Sequence, residues 1–229
     1  MIISNRLKSI ADMVDKCDSI ADIGTDHAYL PIYLLLDNIC NKAIASDINK
    51  GPIQKAEKNI KFYGLENKIQ CRIGSGFNTL KAGEAEGAII AGMGGNLIID
   101  IISEREDIYD SLSFCLLTPA QHSDVLRKFL YENGYKILEE DLCYDEGKYY
   151  ETIKLSGRCK PRYLEELQYE ISPIFLEKKH PLLRNFIDYK IDLNNKILSA
   201  IKVDSEASME RKNFIENKNK ALKEVIRCL

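Results

Sequence analysis

The chain has 229 residues, of which 45% are apolar and 29% charged, with a net charge of −3, the ordinary balance of a soluble globular protein. That length allows one good core, or a main domain with a small appendage. The initiating Met is followed closely by Asn5 and Arg6, with no apolar run long enough for a signal peptide or a membrane span, so a cytoplasmic protein with no membrane partner is expected.

Residues 3–14 place Ile3, Leu7, Ile10 and Val14 at helical spacing, with Ser4 available as a cap. A repeated alternation follows. "SIADI" reads as a buried strand and "YLPIYLLLD" as a short apolar helix. "KAIASD" is the second strand, and "GPIQKAEKNIKFYG" is a helix opened by Pro52 and closed by Gly64. "KIQCRI" is the third strand. "GAIIAG" is the fourth, followed by the helix "GNLIIDIISER", and "SFCLLT" is the fifth, followed by "SDVLRKFLYENG". Short apolar strands alternating with helices predict a doubly wound α/β fold, a parallel sheet covered on both faces. Residues 135–155 break the pattern. Two strand-like runs with the turn "DEG" near their middle predict an antiparallel hairpin, which brings the sheet to seven strands.

After "SGRCKPR" the texture changes, and residues 162–229 contain no Gly. Positions 183, 187, 191, 194, 198 and 201 follow steps of three and four; 207, 214, 221, 225 and 229 extend the pattern on a second helix, with "VDSE" as the turn between. This predicts a coiled-coil-like helical hairpin in which Asn194 is the candidate register-setting polar residue. Domains are therefore expected at 1–157 and 158–229. The first holds 17 Lys/Arg against 24 Asp/Glu, the second 15 against 11. An acidic body with a basic appendage hints at a polyanionic partner, against the plainer reading of solvated helix faces.

The stretch "ADIGTDHAYLP", residues 21–31, stands at the first strand-to-helix turn, where a dinucleotide-binding fold keeps G-x-G-x-x-G. Only Gly24 is present, flanked by Asp22 and Asp26. Glycines in such a turn let the backbone approach a pyrophosphate, and two carboxylates would repel it. They suit a cationic nucleoside instead. S-adenosylmethionine, with an ammonium, a sulfonium and no phosphate, is a ligand of that kind. Asp47, with Ile48 beside it, ends the second strand about 25 residues after Asp22, where an acidic residue takes ribose hydroxyls; the competing reading is a turn residue that starts the next helix. "GSGF" (with Ser75, Gly76 and Phe77) ends the third strand, where the adenine ring should lie, and "AGMGG" (with Ala91, Gly92 and Met93) ends the fourth. These loops lie at C-terminal strand ends, where open α/β sheets bind ligands. The seven cysteines form no C-x-x-C pair and the three histidines are scattered. The cysteines therefore read as small core residues, and no metal is expected.

Together "ISNRL", "ADIGTDHAYLP", "GPIQKA", "IAGMGG", "LTPAQHSDVLRKFL", "NGYKI" and "EGKYYE" resemble the bacterial tRNA adenine-22 N1-methyltransferase family, over essentially the whole chain. The resemblance implies a Rossmann-like class I methyltransferase domain followed by a coiled-coil-like domain that helps grip tRNA, with S-adenosylmethionine as cofactor. It implies that Gly24, Thr25, Asp26, His27 and Asp47 line the cofactor site, and that Asp26 also faces the target base. Two departures stand out. Ser75 replaces the family's usual Asp after strand three, and Thr118-Pro119-Ala120 replaces its usual Gln-Pro-Asn after strand five.

Adenine N1 has its own lone pair, and its methylated product is a cation, so a carboxylate nearby stabilises the developing charge. Asp26 is the candidate for that role. The target base must be unstacked into the pocket, with Tyr29, Met93 and Phe77 as candidate walls. Arg6, Thr118, Lys178, Lys179 and Arg184 are the remaining candidate substrate contacts, and a monomer is favoured. A Rossmann-like oxidoreductase lacks its second and third glycines here, and a non-catalytic RNA-binding relative would not need Asp22, Gly24, Asp26 and Asp47. A class I methyltransferase acting on another RNA, a protein or a small molecule stays open.

Overall fold

In the computed structural model, which describes residues 1–202 and 204–229, the central strands are short apolar runs and the helices between them are amphipathic or short. Helix α1 (Asn5–Asp12) is capped by Ser4, whose side chain accepts from the Leu7 N–H. Then come β1 (Cys17–Ile23), α2 (Tyr29–Leu36), β2 (Cys40–Asp47), α3 (Lys50–Phe62), β3 (Ile69–Ile73), β4 (Gly87–Ala91), α4 (Gly95–Glu104), α5 (Glu106–Ser111), β5 (Phe114–Thr118), α6 (Ser123–Glu132), β6 (Tyr135–Asp145) and β7 (Lys148–Arg158). A 3-10 turn at Gly76–Thr79 and helix α5 were not foreseen; both are single turns or little more, too short to leave a periodic signal.

The strands form one seven-stranded sheet in the order β3-β2-β1-β4-β5-β7-β6, parallel except for β7, which is antiparallel to both neighbours. Successive residues of each central strand enter opposite cores. Ala21, Ala88, Ile90, Cys115 and Leu117 pack with Ile98, Ile102, Leu126 and Leu130 of α4 and α6. Ile20, Ile89, Phe114 and Leu116 pack with Ile10, Ile32, Ala56 and Ile60 of α1, α2 and α3. Burial on both faces is why these strands read as continuous apolar runs rather than alternating ones. The chain reverses its direction of progress across the sheet between β1 and β4, and a crevice at such a switch point is where doubly wound sheets take ligands.

The hairpin closes through Glu146 and Gly147, both at positive φ (47° and 80°), the two-residue turn whose twist matches paired strands. Arg127 of α6 is fully buried behind it. Its Nε donates to Glu140 at 2.8 Å and its Nη2 to Glu151 at 2.6 Å, while Ser123 also reaches Glu151. One guanidinium thus ties α6 to both strands of the hairpin.

The chain divides into two compact units, Met1–Tyr163 and Leu164–Leu229, later than the expected 157/158 boundary. The connecting residues stay bonded to the first unit: the Cys159 N–H donates to Gly134 O at 2.7 Å and the Arg162 N–H to Tyr131 O at 2.9 Å. The second unit holds α7 (Glu166–Glu170), α8 (Pro173–Glu177), α9 (Leu183–Ala200) and α10 (Glu206–Cys228). The "VDSE" turn includes Val203 and to that extent lies outside the described residues. Within α9 the inward positions are Leu183, Phe186, Ile187 and Ile191, and in α10 they are Ile215, Asn219 and Leu222. That corrects the α10 seam expected at 214 and 221, since Phe214 is exposed. Polar pairing sets the face: Asn194 donates to Asn219 at 2.8 Å, Asn219 to Asn195 at 3.0 Å, and Glu170 holds Lys190 and Lys218 at 2.8 Å each.

Candidate active site

A cleft of about 590 Å³ opens over the C-terminal ends of β1 and β4, lined in part by Asp22, Gly24, Asp26, Tyr29, Ala91 and Gly92. Its floor is the turn after β1. The Gly24 and Thr25 N–H groups both donate to Ser46 O of β2 at 2.8 Å, which folds the turn back across the sheet end. Gly24 sits at φ +77°, a conformation that favours glycine, and a Cβ there would also push aside the end of the flexible Met93 side chain. His27 and Ala28 also lie at positive φ (62° and 57°), a conformation that residues with a Cβ enter at a cost and that clusters at functional sites. The Asn59 amide of α3 donates to His27 O at 2.9 Å, and the His27 ring stacks on Tyr29 at 5.3 Å, so packing holds the strained pair in place. Nothing in the sequence announces this, since neither residue is a Gly or an Asn.

Three carboxyls of the first two strand ends face this region. Asp22 is buried and pushed up to about 6, mainly by burial, with Asp26 and Asp47 adding repulsion and the Thr25 hydroxyl opposing both. Thr25 Oγ1 is itself buried and completes no hydrogen bond of normal geometry. Among the described residues no basic side chain pairs with Asp22. Asp26 is the opposite case: its side chain is 83% exposed, with Oδ1 3.1 Å from His27 Nε2. Lys55 Nζ stands 3.4 Å from the same ring nitrogen. Asp47 ends β2 and accepts the Asn49 N–H at 2.7 Å, which shapes the turn into α3 at the sheet's ligand edge. Ile48 beside it is exposed, as is Ser75, which precedes the 3-10 turn begun by Gly76.

Two expected contacts need correction. Phe77 is only 1% exposed and belongs to the core beside Ile101 and Leu80, because the 3-10 turn carries its ring inward rather than into the cleft. The Thr118 hydroxyl is buried 3.1 Å from the Thr152 hydroxyl, an in-sheet contact between β5 and β7 that removes it from any substrate. The Thr118 carbonyl instead accepts the Gly92 N–H at 3.0 Å, and Met93 O accepts the Ala120 N–H at 2.8 Å, so the loops after β4 and β5 are laced together. Lys178, Lys179 and Arg184 belong to the second unit, at the end of α8 and in the first turn of α9.

The cleft also has a wall that was not expected apart from Arg6. Ile2, Ile3, Ser4, Arg6 and Leu7 of the N-terminal segment line it together with Asp145, Glu146 and Tyr150 of the hairpin. Asp145 accepts the Arg6 N–H at 3.2 Å, satisfying a first-turn donor of α1 that has no helical partner. The readable signal was the short "DEG" turn on an antiparallel pair at the end of a parallel sheet, which must come up at the ligand edge.

Among the described residues no group of three or more His, Cys, Asp or Glu side chains could hold a metal ion, and no helix is long and apolar enough to cross a membrane. Burial pushes up the thiols of Cys17, Cys40, Cys71 and Cys115, as suits packed rather than reactive cysteines.

Comparison with known proteins agrees with this geometry. Residues 3–153 match the methyltransferase domain family. The chain is 29% identical over 98% of its length, and 97% of the relative's, to the tRNA (adenine(22)-N(1))-methyltransferase of Bacillus subtilis. It superposes on the crystal structure of the B. subtilis m1A22 tRNA methyltransferase with a TM-score of 0.85 at 29% identity, covering 98% of this chain and 99% of that one. A Streptococcus pneumoniae structure in complex with S-adenosyl-L-methionine gives a TM-score of 0.86 at 30% identity, covering 98% and 100%.

Proposed function

The chain belongs to the bacterial tRNA (adenine-22-N1)-methyltransferase family, and from that premise we propose that it transfers a methyl group from S-adenosylmethionine to N1 of adenine 22 in tRNA. The observation that carries the reading is Asp22: a buried carboxyl at the switch point, with two more carboxylates near and, among the described residues, no basic partner. Such a site is short of a cation, and an ammonium-bearing nucleoside fits it where a pyrophosphate does not. Asp22, Gly24 and the Thr25 turn would hold the amino-acid end of the cofactor, Asp47 its ribose hydroxyls, and Ile48, Ser75, Gly76 and the Ala91–Gly92–Met93 loop the rest. When bound, the cofactor supplies a methyl carbon made electrophilic by its sulfonium.

The exposed carboxylate of Asp26, on the cleft side of the turn, stabilises the positive charge that grows on the adenine as N1 takes the methyl group. N1 needs no base to free its lone pair, so Asp26 acts by charge rather than by first removing a proton. The base must leave its stack to arrive there. The second unit, with its basic surplus and Lys178, Lys179 and Arg184 close in sequence, would contact the RNA backbone. On this reading the enzyme works in the cytoplasm, where tRNA is, and as a monomer.

A transfer assay with tritiated methyl groups on undermodified bulk tRNA, followed by mapping of the labelled base, tests the proposal; label at N1 of adenine 22 is expected, and label on protein alone or no label overturns it. Saturating S-adenosylmethionine should raise the melting temperature, by linkage worth about 2.7 kcal/mol at a hundredfold excess over its Kd. NADH should not. Replacing Lys178, Lys179 and Arg184 with Glu should weaken tRNA binding and flatten its salt dependence without touching cofactor affinity.

A further inference from the structure

Strand β7 brings to the cleft something that the parallel strands cannot. Because it runs against β5, its first residues lie at the end of the sheet where the parallel strands finish. The register Leu117 opposite Ile153, with the Thr118 and Thr152 hydroxyls 3.1 Å apart, fixes the alignment. Tyr150 is two residues earlier on the same face as Thr152, and so stands just past the end of β5. There it is half-buried and lines the cleft with Asp22, Asp26 and Gly92. Its hydroxyl has no hydrogen-bond partner among the described residues. Over its ring lies the Arg6 guanidinium, 5.2 Å from the centroid.

We propose that the Tyr150 ring is the stacking face for the base that receives the methyl group, held in the free protein by Arg6, which turns to a neighbouring phosphate when the base arrives. The inference rests on the tRNA methyltransferase reading and extends it. A base drawn out of an RNA helix loses its stacking neighbours, and an aromatic side chain replaces them. The other aromatic residues named for the cleft are less open to a base on both faces. Tyr29 stacks on His27, and Phe77 is buried in the core. Chemistry strengthens the assignment. An N1-methylated adenine is a planar cation, and so is a guanidinium. A ring face that already accepts one planar cation suits the other, and it favours the base more as positive charge develops. Arg6 can make the exchange because its backbone is anchored by Asp145 while its side chain, among the described residues, forms no hydrogen bond or ion pair and rests over the ring, leaving a charged fork beside the vacated face.

The test uses full-length protein and a tRNA transcript, with Tyr150→Phe and Tyr150→Leu compared for kcat/KM, S-adenosylmethionine affinity and melting temperature. Phe keeps the ring and should stay within about threefold of the unaltered protein, while Leu should lose roughly ten- to a hundredfold in kcat/KM, the usual range for one base–aromatic stack. Cofactor affinity and melting temperature should be unchanged in both. A transcript with 2-aminopurine at position 22 gives a second readout: its fluorescence when bound should be brighter with Tyr150→Leu, which lacks the quenching ring. The proposal is overturned if Leu keeps kcat/KM within threefold, if its loss tracks a loss of cofactor affinity or stability, or if the bound probe is equally dim in both. Failure of the unaltered protein to methylate tRNA is seen before any variant is made, and would remove the underlying reading instead.

Discussion

Two carboxyls drawn largely out of water in this molecule have opposite fates. Asp22, at the end of β1, is pushed up to about 6 by burial and by the nearby charges of Asp26 and Asp47. Glu170, in the second unit, is largely buried too, but the attraction of Lys190 and Lys218 outweighs that burial and holds it down to about 2. The same kind of group in a similarly dry place is strained in one case and satisfied in the other. A carboxyl with its cations supplied by the chain is a crosslink. A carboxyl whose cation is missing from the chain marks a place for a charged ligand, and the difference can be tested by taking charges away.

The largest effect is expected where charge is most buried and most completely paired. Arg127 would be pushed down by burial, but Glu140 and Glu151 more than offset this and raise it. Arg127→Met leaves both carboxylates without their guanidinium inside the protein, a change that costs about 3–5 kcal/mol. The melting temperature should fall by about 10 °C or more for a chain of this size. Thermal and urea unfolding measure it. A fall of only a degree or two would mean that the network reaches water and is not the crosslink that the geometry describes.

Next comes Asp22→Asn, whose sign differs. The folded state binds the Asp22 proton more tightly than the unfolded state, because its value is raised from 3.8 to about 6. Its favourable contribution is therefore present below about pH 3.8 and lost as pH rises through about 6. At pH 8 the Asn variant of the free protein should be more stable by about 3 kcal/mol, and at pH 4 by almost nothing. S-adenosylmethionine should stabilise the variant much less than the parent. A stability difference that does not change with pH would show that Asp22 is not strained.

Asp26→Asn separates the exposed carboxylate from the buried one. It should keep cofactor binding and lose about a hundredfold in kcat, or about 2.7 kcal/mol of transition-state stabilisation. Single-turnover methylation measures the chemical step directly. Turnover within about threefold would make Asp26 a turn residue.

How much of this was legible in the chain depends on the physics that writes each feature. The apolar runs of "SIADI", "GAIIAG" and "SFCLLT" are long because both faces are buried, so the parallel sheet could be read from them, and "DEG" gave the hairpin. Asp22 and Asp26 around a lone Gly24 pointed to a cationic ligand. Phe77 and Thr118 went wrong because sequence gives a residue's place along the chain but not which way a 3-10 turn or an edge pairing aims it. The α10 seam was displaced by one residue because Asn219 and Lys218, polar side chains that a hydropathy pattern passes over, fix the helix face. Tyr150 escaped notice because its position depends on the strand order, with β7 inserted between β5 and β6.

The smallest effect is expected in the helical unit, at Lys218. It and Lys190 each reach a different oxygen of Glu170 at 2.8 Å, but both lysine side chains keep partial contact with water, at 27% and 16% exposed. Lys218→Met removes one cation while Lys190 remains, and the flexible stem that is lost is replaced by one of similar apolar length. The loss should be about 1 kcal/mol near pH 7, far below that of Arg127→Met, which takes a fully buried guanidinium away from two carboxylates at once. Its pH dependence is the sharper measurement. Glu170 is lowered from 4.5 to about 2, so its contribution is present above about pH 4.5 and is lost as pH falls through about 2. With one lysine gone that value should rise toward 4.5, and the acid-induced loss of α9–α10 helicity should begin at higher pH. If the variant instead unfolds in acid together with the parent, Lys190 alone satisfies Glu170, and the second lysine belongs to the surface rather than to the crosslink.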